Sequence, residues 1–236
     1  MAAIRDIDLP ANSRVYMIAG TQHGGRAGAT TDPGPNLNPR NPHNPMPAVR
    51  ALLVALDGWV VSGAAPPSSR VPTLAAGTLV EADKTGFPTV PGAAVVRVTN
   101  VVAPPGDWTK PQPAAKAYRT LVSKVDGDGN EAAGIRLPDI AVPLATYTGW
   151  NEYKPPYPAG KIADRDGSCL PFPVDRTARQ ASGDPRLSIA ERYKSGADYL
   201  ARVQAVVSQL LAGRLILPDD AEAYLERARR EPRVAP

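Results

Sequence analysis

The chain has 236 residues, 43% of them apolar, which is enough for a sizeable core, and its formal net charge of +4 is spread along the sequence. Nucleic-acid binding needs that charge gathered into a basic stripe, so neither that partner nor, with no apolar run near ~20 residues, a membrane span is expected. One cysteine, Cys169, rules out a disulfide framework and a cysteine metal cluster, and no metal or cofactor site is read from the sequence.

The opening stretch MAAIRDIDLP is acidic and lacks the apolar core of a secretory signal. Val15, Tyr16, Met17 and Ile18 then form a short apolar run bounded by glycine, which predicts a strand covered on both faces. That strand runs into TQHGG, placing His23 at its C-terminal mouth, where α/β sheets carry ligands and catalytic side chains. A histidine there suits proton transfer to and from a hydroxyl; a histidine that only hydrogen-bonds a loop is the plainer alternative. Next comes GRAGATTDPGPNLNPRNPHNPMP, too rich in Gly, Pro and Asn for a helix or a ladder strand, and therefore a long loop that either rims a site or makes a flexible excursion. His43, inside it, reads as an exposed loop residue.

Val49, Leu52, Leu53, Leu56 and Val60 follow the spacing of one helical face, and Gly63 is placed to stop that helix. Asp57, on the helix near its end, reads as a surface carboxylate, and Ser62 lies at the helix terminus. From residue 63 the chain turns proline-rich, with short β-prone pieces such as AAVVRVTNVV at 93–102, expected as strands or extended arms over a surface. VDGDGNEAAGIRL begins like a calcium loop but has Glu131 and Leu137 where the sixth-position glycine and twelfth-position glutamate belong, so a turn between extended segments is expected. In PLATYTGWN, Tyr147, Trp150 and Asn151 either line a pocket near the histidine or, for the two aromatics, pack a β-rich arm. Cys169 has no basic neighbour or helix start beside it in sequence and reads as packing.

Near the C-terminus, Ser195 and Asp198 stand in capping-box spacing before a stripe of Tyr199, Val203, Val206 and Leu210. A second helix is expected from about Pro218, with Asp219, Asp220 and Glu222 in its first turn and Arg227, Arg229 and Arg230 in its last. The two predict a helical hairpin, and RARREPR its last turn and a frayed tail.

Four stretches taken together, RVYMIAGTQHG, PAVRALLVALDGWVVSGAAPPSSRVPTLAAGTLV, VDGDGNEAAGIRLPDIAVPLATYTGWN and SGDPRLSIAERY, resemble in order and spacing the C-terminal part of a bacterial family of α/β-hydrolase domain-containing proteins. Members carry upstream a serine elbow similar to GFSQSG and an acidic region, neither of which occurs in these residues. The resemblance implies that His23 is the catalytic histidine and general base of a serine hydrolase acting on a small-molecule ester or amide. The nucleophile and acid would then come from outside this chain, from a complementary N-terminal hydrolase segment, and the chain alone would be inactive. Gln22, Tyr147, Trp150 and Asn151 are the expected substrate-binding residues.

The expected architecture is therefore α/β, a partial C-terminal portion of an α/β-hydrolase. Residues 1–62 would supply the last strand, histidine loop and last helix of the core, 63–175 a proline-rich extended region with short strands, and 176–236 a C-terminal helical segment. The Val15–Ile18 strand would present unpaired edges and the Val49–Val60 helix face would lack a partner layer, giving a marginal fold. The alternative is a non-catalytic binding or interaction module derived from a hydrolase.

Overall fold

A computed structural model describes residues 5–24, 31–93, 95, 109 and 120–234. The 15–19 segment is extended but forms no continuous strand. On one side the Met17 amide donates to the Arg70 carbonyl and the Arg70 amide to Val15, at 2.9 and 3.0 Å; on the other, Ile135 donates to Met17 and Ala19 to Ile135, at 2.7 and 3.0 Å. Both pairings are isolated parallel bridges, Tyr16 to Arg70 and Ile18 to Ile135. The expected bare edges are thus each occupied, because single residues of the proline-rich region reach in and take the backbone groups that a neighbouring strand would otherwise take.

Helix α1, Met46–Ser62, has a proline in its first turn and ends at Gly63, whose positive φ of 73° lets its amide turn back to the Trp59 carbonyl. It is held mainly by its N-terminal turns, where Pro47, Ala48 and Ala51 are buried. Of its apolar stripe, Val49 and Leu52 are half-buried, Leu52 against the core, while the rest faces outward: Leu53 is 59% exposed, Leu56 50% and Val60 78%. An ion pair from Arg50 to Asp220 ties the helix to the C-terminal hairpin.

The regular strands are short and antiparallel. Strand β1, Leu79–Glu81, pairs with β2, Leu121–Ser123. Helix α2, Pro138–Ala141, precedes β3, Ala145–Thr148. Strand β4, Asn151–Glu152, pairs with β5, Ile162–Ala163, and β3 with β6, Ser168–Pro171, in a register that sets Tyr147 opposite Cys169. Among the described residues there is accordingly no parallel sheet, and parallel pairing is confined to the two bridges around Met17. Most of the β-prone stretch 93–102 lies outside the described residues. The DGDGN stretch is the expected turn: the Asp126 carboxylate accepts from the Asp128 and Asn130 amides, each at 3.0 Å, below a Val125–Glu131 bridge.

Beyond β6, α3 (Arg176–Ser182) and α4 (Ile189–Arg192) lead into the helical hairpin of α5, Gly196–Ala212, and α6, Pro218–Arg229. The Ser195 hydroxyl accepts from the Asp198 amide at 3.2 Å, as the cap spacing implied. The buried stripe is Tyr199, Val203, Val207 and Leu210; Val206, expected on it, lies half-buried at its flank, one residue of rotation away. Across from it, α6 buries Ala221, Tyr224 and Ala228, and Leu137, Leu144, Phe172 and Ile189 close the core. The tail is not frayed through residue 234, because Val234 is buried in this same core and Arg233 pairs with Glu231 at 2.6 Å.

Candidate functional site

The turn bearing His23 is built by polar pins. Gly20, at φ 70°, donates its amide to the Glu131 carboxylate at 2.7 Å, and its carbonyl accepts from the Asn41 side-chain amide at 2.8 Å. A Cβ at Gly20 would stand 2.2 Å from Ile140 Cδ1, so the position has room only for glycine unless that side chain moves. Thr21 bonds back to Ile18 at 2.7 Å, and buried Gln22 donates to the Asn41 carbonyl at 3.4 Å. His23 follows in a turn and is exposed. Among the described residues nothing hydrogen-bonds to its ring.

The expected substrate-binding residues separate into two groups. Tyr147 and Trp150 border one cavity of about 250 Å³ together with Phe87, Thr21 and Glu131. Phe87 and Trp150 meet ring to ring, with centroids 5.5 Å apart. Asn151 does not line that cavity. Fully buried, it donates to the Asn38 and Gly167 carbonyls at 3.0 and 2.7 Å and accepts from the Asn38 and Glu152 amides, so it clamps the Asn-Pro loop to the β5–β6 connection. Gln22 and His23 are likewise outside the cavity's lining, although Thr21 joins it two residues before the histidine.

Sequence reasoning missed a second constellation entirely. His43 is not an exposed loop residue: it is 1% exposed, and Nδ1 lies 3.3 Å from the Asp139 carboxylate. The loop turns inward because Asn41, fully buried, replaces a strand neighbour, donating to Gly20 and Thr148 while accepting from the His43 amide at 2.9 Å. A proline-rich segment has few amides for a ladder, and side-chain amides can serve instead. The other Asp139 oxygen accepts from Arg227 at 2.6 Å. Burial by itself would raise the Asp139 pKa, but the bonds from His43 and Arg227 outweigh it and hold the carboxyl at about 2. The imidazole therefore faces an ionised acceptor, while among the described residues its Nε2 has no partner. Such an unmade buried bond costs about 1–3 kcal/mol.

His43 and Asp139 line a cavity of about 230 Å³ shared with Tyr147, Cys169, Tyr199 and Arg233. Burial pushes the Cys169 thiol up to about 11, so it stays protonated and is no nucleophile at neutral pH. Asp57 is exposed on α1, and Ser62 spends its hydroxyl on the Gly58 carbonyl at 2.7 Å. Among the described residues no group of three or more His, Cys, Asp or Glu side chains is placed to hold a metal ion, and no helix is long and apolar enough to cross a membrane.

No curated protein and no solved structure matches the chain. A family model described as an alpha/beta hydrolase domain matches residues 2–226, which includes His23, the outward-facing helix α1, the Tyr147 and Trp150 cavity and all but the last turn of the C-terminal hairpin. The chain therefore belongs to that alpha/beta hydrolase domain family.

Proposed function

We propose that this chain supplies the general base for hydrolysis of an ester or amide, with His23 as that base. The observation that carries the reading is the exposure of the His23 ring on a turn whose preceding residues are fixed by Glu131, Asn41 and Ile18. A general base must be held in place yet reachable, and a pinned backbone with a ring open to solvent meets both demands. No GxSxG elbow occurs among the 236 residues, and an α/β-hydrolase nucleophile is carried on such an elbow. The serine and the acid are therefore assigned to a complementary hydrolase segment. Helix α1 offers that segment an unoccupied apolar face, with Leu53, Leu56 and Trp59 lining an open groove beside Arg14 and Tyr16. The cavity of Tyr147, Trp150 and Phe87, two residues from the histidine, suits the apolar part of a small substrate.

The test has two arms. The chain by itself should neither turn over p-nitrophenyl acetate above the free-imidazole background nor label with a fluorophosphonate, because a base without a placed nucleophile and oxyanion hole gives little. Co-expressed with a segment carrying the serine elbow, it should label, and His23→Ala should then lower turnover by several orders of magnitude with the fold unchanged. Turnover by the complemented protein that survives His23→Ala would overturn the assignment of the base, and no turnover or labelling even after complementation would leave a binding module as the better description.

A further inference from the structure

In the cavity under α6 the hydrogen-bonding roles follow from charge. Asp139 is ionised at neutral pH and can only accept, so in the neutral imidazole Nδ1 of His43, 3.3 Å from it, carries the proton. Nε2 is then a lone-pair acceptor, and among the described residues nothing donates to it. The lining combines buried residues, among them Leu144, Tyr147 and Cys169, with exposed Thr31, Arg227 and Arg233, so the cavity meets solvent at the arginines. The interior therefore wants a donor, and the mouth presents two guanidinium groups.

Charge and size narrow the occupant further. Each guanidinium offers five N–H donors in a fork suited to carboxylates. Arg227 uses one terminal nitrogen on Asp139, and Arg233 turns one edge to Glu231, so both retain donors. The lining already balances Asp139 and Glu231 against the two arginines, so it is the spare guanidinium donors and not a net charge that select a single carboxylate. A volume of about 230 Å³ is smaller than the ~300–1,000 Å³ typical of sites for drug-sized ligands, and equals the liquid share of about eight waters.

We propose that this cavity is a binding site for a small hydroxycarboxylate, whose hydroxyl donates to Nε2 of His43 and whose carboxylate is taken by Arg227 and Arg233 at the mouth. The site is separate from the hydrolytic role assigned to His23 and stands or falls without it. It makes and breaks no covalent bond.

With two histidines in the chain, the ring nitrogens are resolvable by heteronuclear NMR of the full chain labelled with ¹⁵N-histidine. The probes are 3-hydroxybutyrate, butyrate, which lacks the hydroxyl, and 1,3-butanediol, which lacks the carboxylate. The expected result is a saturable shift of the His43 Nε2 resonance with 3-hydroxybutyrate at millimolar concentration, and binding at least about tenfold weaker for each of the others, as the loss of one good hydrogen bond to a charged or buried partner implies. His43→Phe should abolish the effect. Should that variant not fold, Arg233→Gln at the exposed rim should weaken 3-hydroxybutyrate about tenfold and leave butanediol unchanged. No saturable shift, equal shifts from all three compounds, a response at His23 instead of His43, or a cavity that admits water alone would overturn the proposal.

Discussion

The C-terminal hairpin and the region around the Asn-Pro loop are stabilised in opposite ways. Between α5 and α6 the contacts are apolar, with Tyr199, Val203, Val207 and Leu210 meeting Ala221, Tyr224 and Ala228, and the caps are local. Around β3 and β6 the interior is largely polar. Asn41, Asn130 and Asn151 are fully buried, each donating to a carbonyl at least 15 residues away in sequence, and the Arg186 guanidinium is buried against Asp184 while also donating to Thr146, Leu170 and Pro171. A helix satisfies its own backbone, so its core is free to be apolar. A proline-rich chain cannot, and side-chain amides and a guanidinium complete the bonding instead.

If that contrast holds, the largest single loss should come from Arg186→Ala. It strands the Asp184 carboxylate, 5% exposed, and three oxygens, and should cost about 3–5 kcal/mol in denaturant unfolding. A cost near that of a surface substitution would mean the polar region is not held by this residue. In the hairpin, Leu210→Ala should cost about 3 kcal/mol through lost burial and a cavity, with helix content kept in far-UV circular dichroism. Asn41→Ala should cost about 2–3 kcal/mol and raise amide exchange at His43 and along 17–22, since it leaves the Gly20 and Thr148 carbonyls and the His43 amide unmatched. Exchange unchanged there, with the hairpin loosened, would invert the comparison.

Acid should separate the two regions with a smaller effect. The Asp139 carboxyl has a folded pKa of about 2 against an ordinary 3.8. Its contribution is therefore fully present above about pH 4 and is lost as pH falls towards about 2, at most about 2.5 kcal/mol at ~1.4 kcal/mol per pKa unit. Asp184, held low against burial by Arg186, adds in the same direction. Equilibrium unfolding followed between pH 5 and pH 2 should show residues around β3 and β6, where Asp184 is buried, losing protection before the apolar α5–α6 core does, even though the Asp139 tie to Arg227 on α6 is lost over the same range. Equal loss in both would remove the electrostatic part of the distinction.

The same division explains what could be read from the sequence. Helices α1, α5 and α6 announce themselves, because apolar spacing, Ser195 as a cap, Gly63 as a stop and the charge gradient over 218–230 are local signals. The burial of Val207 in place of Val206 shows how finely that signal resolves a face. The sequence of PLATYTGWN leaves Tyr147 and Trp150 open between lining a pocket and packing an arm, and nothing local in it signals that they share a cavity with Thr21. Nothing in NPRNPHNP marks Asn41 and His43 as interior, since a buried asparagine follows no period and its partners lie up to 107 residues away. The composition of Val15–Ile18 marks an extended segment, but whether it meets a whole strand or single residues depends on Arg70 and Ile135, which carry no pattern linking them to it.

The position of Cys169 gives the molecule a built-in clock. Its sulfur faces Tyr147 across the β3–β6 ladder, is 6% exposed, and belongs to the chain's single thiol. A disulfide dye such as Ellman's reagent can reach it only when the cavity behind Arg227 and Arg233 widens or the ladder parts, so the rate of colour release measures how often the interior around β3 and β6 opens. Recorded with and without added hydroxycarboxylate, the same trace would time the residence of any guest behind Arg227 and Arg233.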